Sequence, residues 1–183
     1  MDVLIDSCSY FRIARSLHPL LGQPQGPSQY KIYIHPFFYN EFSKNSHLTT
    51  QFPWVNESEF GDNRKNFCIN ILEEREKEIM RVFTSINAYK RKSRSNISDV
   101  DLYALSTAYV LNIILITDDR EMRTAAEEFE IVCIKTMDYL NYLYTADLID
   151  DSKLLEIFGY WEYDNDCPAD YKLDRASFFP DLR

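Results

Sequence analysis

The chain has 183 residues, of which 45% are hydrophobic and 15% aromatic, enough for the core of one domain with or without a short extension. Its net charge is −9, so any contact with nucleic acid would have to come from a local basic patch. An acid at position 2, no apolar run of bilayer-spanning length and four widely spaced cysteines favour a soluble cytoplasmic protein without zinc or disulfides.

The amino-terminal part predicts two strands, each followed by a helix. Residues 3–5 are a Val-Leu-Ile run, typical of a strand buried on both faces of a parallel sheet, and Asp6 ends the run. A helix over about residues 8–17 and a strand over residues 31–34 follow. The next helix, opened by a proline, places Glu41 on the same side as several phenylalanines.

The middle of the chain predicts a long loop or insertion followed by one long helix. Residues 43–62 show little periodicity and many turn-forming residues. Residues 64–89 carry apolar side chains at helical spacing, and the basic run 90–94 follows. The loop holds three aromatic residues that either stack on bases or pack in the core: Phe52, Trp54 and Phe60.

Residues 98–122 predict a helix, a tight turn, a buried strand and a second turn. Asp101 lies near the start of this helix, and Asp119 follows the β-branched run 113–116. In a right-handed α/β unit the helix runs antiparallel to the strand, so the helix start and the strand end share one edge of the sheet. We therefore expect Asp101 and Asp119 to come close together.

The remaining sequence completes the alternation and adds an acidic extension. A strand over residues 131–134 and a helix over residues 137–144 predict an α/β fold with a mainly parallel sheet, and a first domain over residues 1–144. Residues 145–183 contain ten acids and four bases, hence six of the nine net negative charges, and they include Trp161. The aromatic content predicts that this extension packs on the domain.

Four carboxylates converge on one edge of the sheet by topology: Asp6, Glu41, Asp101 and Asp119. Ligands of open parallel sheets bind at the carboxyl ends of the strands. Four like charges packed there would raise one another's pKa unless a cation lay among them. A site made only of oxygen ligands suits Mg²⁺ or Mn²⁺ better than zinc.

Each acid also has an ordinary structural interpretation. Ser98 and Asp101 fit a capping box, and Asp118 fits the cap of the helix that follows it. Asp6 fits the start of a turn, and Glu41 fits a solvent-exposed position. Capping explains Asp101 and Asp118, but it explains neither an acid at the end of an apolar strand nor one among phenylalanines.

These residues resemble the four acidic motifs of PIN-domain nucleases, a family that includes the toxin ribonucleases of toxin–antitoxin pairs. The resemblance covers about residues 1–143, and within it residues 43–96 match only in being helical. The matching segments are Val-Leu-Ile-Asp-Ser with Asp6, Tyr-Asn-Glu-Phe with Glu41, Asp-Leu-Tyr-Ala-Leu-Ser-Thr-Ala from Asp101, and Leu-Ile-Thr-Asp-Asp ending at Asp119.

The resemblance implies a three-layer α/β/α fold and hydrolysis of phosphodiester bonds that depends on Mg²⁺ or Mn²⁺. It implies that the four acids are catalytic and hold the metal, with Asp118 as a further ligand. Single-stranded RNA is the expected substrate, with DNA as the alternative. Ser7 and Thr117, beside the ligands, would support them. Asp99, two residues before Asp101, is expected to point to solvent, with support of the ligands as the alternative. An antitoxin protein and a second copy of the chain are the protein partners that such a nuclease would have.

Two departures from the family pattern stand out. Cys8 occupies the position where many members carry Asn, two residues after the first acid. The acidic extension over residues 145–183 has no counterpart in the smallest members, which bears on the toxin interpretation in particular.

Two groups of basic residues are expected to contact nucleic acid. A run shortly before Asp101 and a pair beside Asp119 provide them: Lys90, Arg91, Lys92 and Arg94, then Arg120 and Arg123. A solvated helix end explains the run equally well. The three histidines are isolated, which favours surface or loop roles: His18, His35 and His47.

Other classes of function fit less of the sequence. A catalytically silent binding module on the same fold and a DNA-directed nuclease are the main alternatives. Nucleotide-dependent chemistry is disfavoured because the four glycines form no phosphate-binding loop.

Overall fold

A computed structural model describes residues 1–38 and 46–182 of the chain. Its sheet has four parallel strands in the order β2–β1–β3–β4: Asp2–Ile5 (β1), Lys31–Ile34 (β2), Ile114–Ile116 (β3) and Cys133–Ile134 (β4). The helices are Ser7–Ile13 (α1), Ser46–Gln51 (α2), Ser58–Asn66 (α3), Glu73–Ser93 (α4), Asp99–Leu111 (α5), Arg120–Glu128 (α6), Thr136–Thr145 (α7), Asp151–Tyr163 (α8) and Tyr171–Phe178 (α9).

Alternation along the central strands divides the core into two layers. Val3, Ile5 and Ile116 face a cluster that includes residues of α1, α7 and α8, whereas Leu4 and Leu115 face a cluster that includes residues of α5 and α6. Successive side chains of a strand point to opposite faces, so a sheet buried on both sides must be apolar throughout. The fold is therefore a three-layer α/β/α sandwich with a parallel sheet, as predicted.

The carboxyl ends of β1 and β3 lie side by side and carry the residues of interest. The backbone N–H of Asp6 donates to the carbonyl of Ile116 at 3.0 Å, and that of Thr117 donates to Ile134 at 3.0 Å. Because α5 runs back along the sheet before β3, its first residues reach the same edge.

The insertion is helical, so the expected long loop over residues 43–62 is wrong for its described part. α2, a 3-10 helix over Pro53–Asn56 and α3 fill residues 46–66. Packing supplies the order that the local sequence does not indicate, because Phe52, Trp54 and Phe60 are buried in the first core cluster. The core interpretation of these aromatics is right, and they do not form an exposed platform for bases.

The expected single helix over residues 64–89 is interrupted. Residues 67–69 instead extend along β2, where the N–H of Ile69 donates to Ile34 at 2.8 Å and the N–H of Ile34 donates to Phe67 at 3.2 Å. An unpaired sheet edge offers hydrogen-bonding groups that a helix cannot satisfy. The pairing therefore breaks the helical periodicity, and α4 begins only at Glu73.

The acidic extension shares the first core layer. Four residues of α8 are buried there: Leu154, Ile157, Phe158 and Trp161. The indole Nε1 of Trp161 donates to the carbonyl of Arg12 at 2.8 Å, which ties α8 to the end of α1. The described part of the extension, residues 145–182, thus contributes α8 to the core layer on the same face of the sheet as α1 and α7.

Two further observations concern a buried histidine and the apolar character of the helices. His35 lies in the connection after β2, as a loop role requires, but it is buried, so the expected surface role is wrong. Its Nε2 lies 3.2 Å from Oγ1 of Thr107, and burial lowers its pKa to about 4. Among the helices of the described ranges, none combines the length and apolar character needed to cross a membrane.

Candidate functional site

Asp6 follows β1 and caps α1. Its Oδ1 accepts a hydrogen bond from the N–H of Ser9 at 2.6 Å, and Ser7 is the first residue of the helix. Burial raises the pKa of Asp6 to about 6, although hydrogen bonds from Thr117 and Ser9 act in the opposite direction. The carboxyl group of Asp6 is thus ionised at neutral pH, although its buried position disfavours the charge.

Asp101 forms a capping box at the start of α5. The hydroxyl of Ser98 donates to Oδ2 of Asp101 at 2.7 Å, and the N–H of Asp101 donates to Oγ of Ser98 at 3.2 Å. The capping interpretation is right for this residue. Burial raises the pKa of Asp101, and the nearby charge of Asp119 raises it further, so the two acids are close enough to interact.

Asp119 caps α6, a role expected for Asp118. Its Oδ1 accepts from the N–H of Met122 at 2.8 Å. The N–H of Asp119 donates to Oγ1 of Thr117 at 3.1 Å, while Thr117 also hydrogen-bonds Asp6. Thr117 therefore connects the acids at the ends of β1 and β3.

Asp118 lies in a hydrogen-bond network that occupies both of its oxygens. Oδ1 accepts from the N–H of Thr136 at 2.9 Å. Oδ2 accepts from the hydroxyl of Thr136 at 2.7 Å and from Nη1 of Arg12 at 2.9 Å. The buried carboxylate joins α1 to the start of α7, and its role as a metal ligand stays a prediction.

The structure thus brings three of the four expected acids to one edge of the sheet. Cys8 is exposed but lies beside them: partial desolvation by the neighbouring protein, then the charge of Asp6 and more weakly that of Asp101, raise the pKa of its thiol. Glu41 lies outside the described residues.

The carboxylate oxygens of the site are ligands that suit Mg²⁺ or Mn²⁺, but too few acids are grouped among the described residues to complete a coordination shell. Capping uses only one oxygen of Asp101 and one of Asp119. Within residues 1–38 and 46–182, however, no three Asp, Glu, His or Cys side chains are grouped as the ligands of one ion would be. A complete shell would need a contribution from elsewhere, and Glu41 is the residue that the sequence offers.

The basic run forms the last turn of α4 and the residues after it. Nζ of Lys90 lies 3.8 Å from Oδ1 of Asp99, and the charge of Lys90 lowers the pKa of Asp101 slightly against the effect of burial. Arg91, Lys92 and Arg94 are exposed. The side chain of Asp99, two residues before Asp101, is 79% exposed and therefore points to solvent.

The pair beside Asp119 is already engaged by the extension. Nη2 of Arg120 lies 2.7 Å from Oδ1 of Asp170, and Nη2 of Arg123 lies 3.3 Å from Oδ2 of the same residue. Hydrogen bonds from Arg120 and then Arg123 lower the pKa of Asp170.

Arg12 is the residue of this edge that sequence reasoning missed. It binds Asp118, and its Nη2 also lies 2.9 Å from Oδ1 of Asp166. Burial alone would lower the pKa of Arg12, but the charges of Asp166 and Asp118 outweigh it and raise the pKa. The available signal was the surplus of acids in the extension, because so many carboxylates require cations elsewhere in the chain.

No family model matches the sequence, and no curated protein matches it significantly. Among solved structures, the crystal structure of FitAcB from Neisseria gonorrhoeae is similar to this chain, with 13% identity and a TM-score of 0.47. The similarity covers 74% of this chain and 98% of that chain. At this score it supports no conclusion about function.

Proposed function

We propose that this chain is a PIN-type nuclease that cleaves single-stranded RNA with Mg²⁺ or Mn²⁺ at the carboxyl edge of its sheet. The observation that carries the proposal is the convergence of Asp6, Asp101 and Asp119 at that edge, with the pKa raised at Asp6 and Asp101. Accumulated carboxylates that resist ionisation are the electrostatic condition that a bound cation relieves.

Helix capping alone does not require these charges. Ser or Asn caps a helix about as well as Asp does, and neither brings a buried charge. Asp6 is only 7% exposed, and its ionised form is disfavoured by burial. A carboxylate at this position is therefore better explained by a ligand than by the cap.

The proposed roles use the carboxylate oxygens that accept no capping hydrogen bond. Asp6, Asp101 and Asp119, together with Glu41, would hold the metal, and Thr117 would orient Asp119 through its backbone. A bound Mg²⁺ or Mn²⁺ would supply a water of lowered pKa and neutralise charge on the departing oxygen. The run Lys90–Arg94, in which Arg91, Lys92 and Arg94 are exposed, would contact phosphates of the strand.

The test compares acids of the proposed site with a neighbour outside it. Cleavage of labelled single-stranded RNA is measured with Mg²⁺, Mn²⁺ and EDTA for the wild type and for Asp6→Asn, Glu41→Gln, Asp101→Asn and Asp119→Asn. We expect each substitution to reduce the rate by about 10²- to 10³-fold, the scale of removing one preorganised electrostatic interaction, and EDTA to abolish cleavage. Asp99→Asn is the matched control, because its side chain points to solvent, and it should keep most activity.

A catalytically silent binding module is the second candidate. It is favoured by the lack of a three-ligand group within the described parts of the chain. Pure protein that binds RNA but cleaves neither RNA nor DNA with either metal would establish it. Cleavage of DNA alone would instead establish the DNA-directed nuclease.

A toxin role carries its own test. If the chain is the toxin of a toxin–antitoxin pair, the adjacent reading frame should encode a small protein that forms a complex with it. Co-expression of that protein should then relieve growth inhibition caused by the chain alone. If the neighbouring protein neither binds the chain nor relieves inhibition, the toxin role is wrong, whereas the proposed nuclease activity is unaffected.

A further inference from the structure

Three acids of the extension, spaced four residues apart, each hold cations from a different element. Asp166 contacts Arg12 at 2.9 Å, and Asp170 contacts Arg120 at 2.7 Å and Arg123 at 3.3 Å. Both oxygens of Asp174 lie 2.6 Å from Nζ of Lys135. We call Asp166, Asp170 and Asp174 the tail acids, and Arg12, Arg120, Arg123 and Lys135 the edge cations.

The edge cations belong to the same edge of the sheet as the candidate site. Arg120 directly follows Asp119, and Arg12 binds Asp118. Lys135 directly follows Ile134, the last residue of β4. The row of positive charge therefore runs across the ends of β3 and β4, beside the carboxylates of the proposed active site.

The contacts at Asp170 have the form of an anion site. Each of its oxygens accepts from a different guanidinium, as an oxyanion does between two arginines. Nε of Arg123 is buried without a hydrogen-bond partner among the described residues, so the hydrogen bonding of this side chain is incomplete while Asp170 is bound. A phosphate group presents more acceptor oxygens than a carboxylate and would suit the same pair.

The tail acids differ in how firmly they are held. The side chain of Arg120 is 68% exposed, and exposed ion pairs are weak and sensitive to salt. Asp174 is buried, and Tyr171 and Phe179 are anchored in the core. A polyanion could thus displace Asp170 from its arginines while the extension stays attached to the domain.

We infer that the edge cations form a surface for the phosphate backbone of single-stranded nucleic acid. Its exchangeable part is the pair Arg120 and Arg123, which Asp170 occupies when no nucleic acid is bound, whereas buried Asp174 keeps the extension attached. The inference rests on the proposed function, because it identifies how that site would take hold of its substrate. The ion pairs of the described residues connect the extension to the edge cations and not to the run Lys90–Arg94.

The test compares two triple variants of equal charge. Asp166→Asn/Asp170→Asn/Asp174→Asn removes the tail acids. Its control, Asp147→Asn/Asp164→Asn/Asp181→Asn, neutralises three acids of the extension that form no ion pair in the described ranges. Binding of a fluorescein-labelled 12-nucleotide RNA is measured by anisotropy in EDTA from low to moderate salt.

We expect the tail-acid variant to bind at least about tenfold more tightly than the wild type, and the slope of log K against log salt to steepen by about 2–3, since each further phosphate neutralised on a single strand contributes about 0.7. The control should gain less than about threefold, from the general change in charge. Equal gains in both variants, or no gain in the tail-acid variant, would overturn the inference.

A second variant keeps the test decisive if the triple variant does not fold, as judged by thermal unfolding. Asp170→Asn alone frees both arginines and leaves buried Asp174 in place, and adding Arg120→Ala and Arg123→Ala should cancel its gain in affinity. If Asp170→Asn gives no gain in RNA affinity, the inference that the edge cations form a binding surface is wrong. Because binding is measured without metal, a gain in a chain that never cleaves would refute the nuclease alone, and cleavage without a gain would refute the surface alone.

Discussion

Asp6 bears a charge that the fold does not favour, and its removal should stabilise the protein. With a pKa of about 6 in place of the ordinary 3.8, the folded state binds the proton more tightly than the unfolded chain, so stability falls as pH rises from about 4 to 6. The ionised form costs up to about 3 kcal/mol above that range. Asn keeps an acceptor for the N–H of Ser9.

We therefore predict that Asp6→Asn raises the free energy of unfolding by about 1–3 kcal/mol at pH 7 in EDTA, although it lowers the rate of metal-dependent cleavage. Urea denaturation at pH 7 and pH 4 measures it, and the gain should vanish at the lower pH. A variant less stable than the wild type at pH 7 would show that the charge of Asp6 contributes to the metal-free fold.

His35 should act in the opposite direction across the same pH range. Its pKa is about 4 because of burial, below the ordinary 6.5, so the unfolded chain binds the proton more readily and stability is lost as pH falls from about 6.5 to 4. We predict that its ring resonances in an NMR titration stay in the neutral form down to about pH 5. A midpoint near 6.5 would mean that the ring reaches water.

At the scale of single elements, the end of α4 is the most informative. Its last turn and the residue after it bring four cations near the start of α5, where Lys90 meets Asp99. We predict that replacing Lys90, Arg91, Lys92 and Arg94 with Ala lowers the slope of log K against log salt for single-stranded RNA, by about 0.7 for each phosphate that the chain no longer neutralises.

A matched variant separates direct binding from general charge. Lys65, Arg75, Lys77 and Arg81 are equally numerous exposed bases on α3 and in the first half of α4. Their replacement with Ala should leave the slope almost unchanged. Similar slopes for both variants would remove the run from the binding surface, and comparison with Asp170→Asn would show which of the two basic surfaces neutralises more phosphates.

The strands and the edge acids were predictable because local pattern and topology agree there. The Val-Leu-Ile run before Asp6 and the β-branched run before Thr117 are buried strands, and parallel strands place their following residues at one edge. Periodicity was misleading where tertiary contacts decide, as in residues 67–69, which pair with β2 although their neighbours are helical. The role of Arg12 depends on Asp166, 154 residues away, and no local pattern shows such a pairing.

At the scale of the whole molecule, the extension should be indispensable for folding. Phe158 and Trp161 are almost fully buried, Trp161 at 2% exposure, in the same cluster as Val3 and Ile5. Loss of one such aromatic side chain costs about 3–5 kcal/mol, and a whole domain has only about 5–15 kcal/mol of stability.

We predict that removal of residues 151–183 leaves a chain without cooperative thermal unfolding or a near-ultraviolet circular dichroism signal. Removal of residues 181–183, which follow the last helix, is the control and should preserve both. A fragment 1–150 that unfolds cooperatively would show that the first 150 residues form a domain of their own, and tight RNA binding by it would further support masking by the tail acids.

The hydrogen bond between the Trp161 indole and the carbonyl of Arg12 joins residues 149 positions apart. This separation has a consequence for folding during synthesis on the ribosome. A ribosome adds about 5–20 residues per second, so the partner of α1 is synthesised many seconds after α1 itself. During that interval the face of the sheet that α8 will cover is exposed, and chaperones bind exposed apolar surfaces of this kind. A message that ends before the codons of α8 should therefore yield a chain that is degraded, not a smaller functional protein.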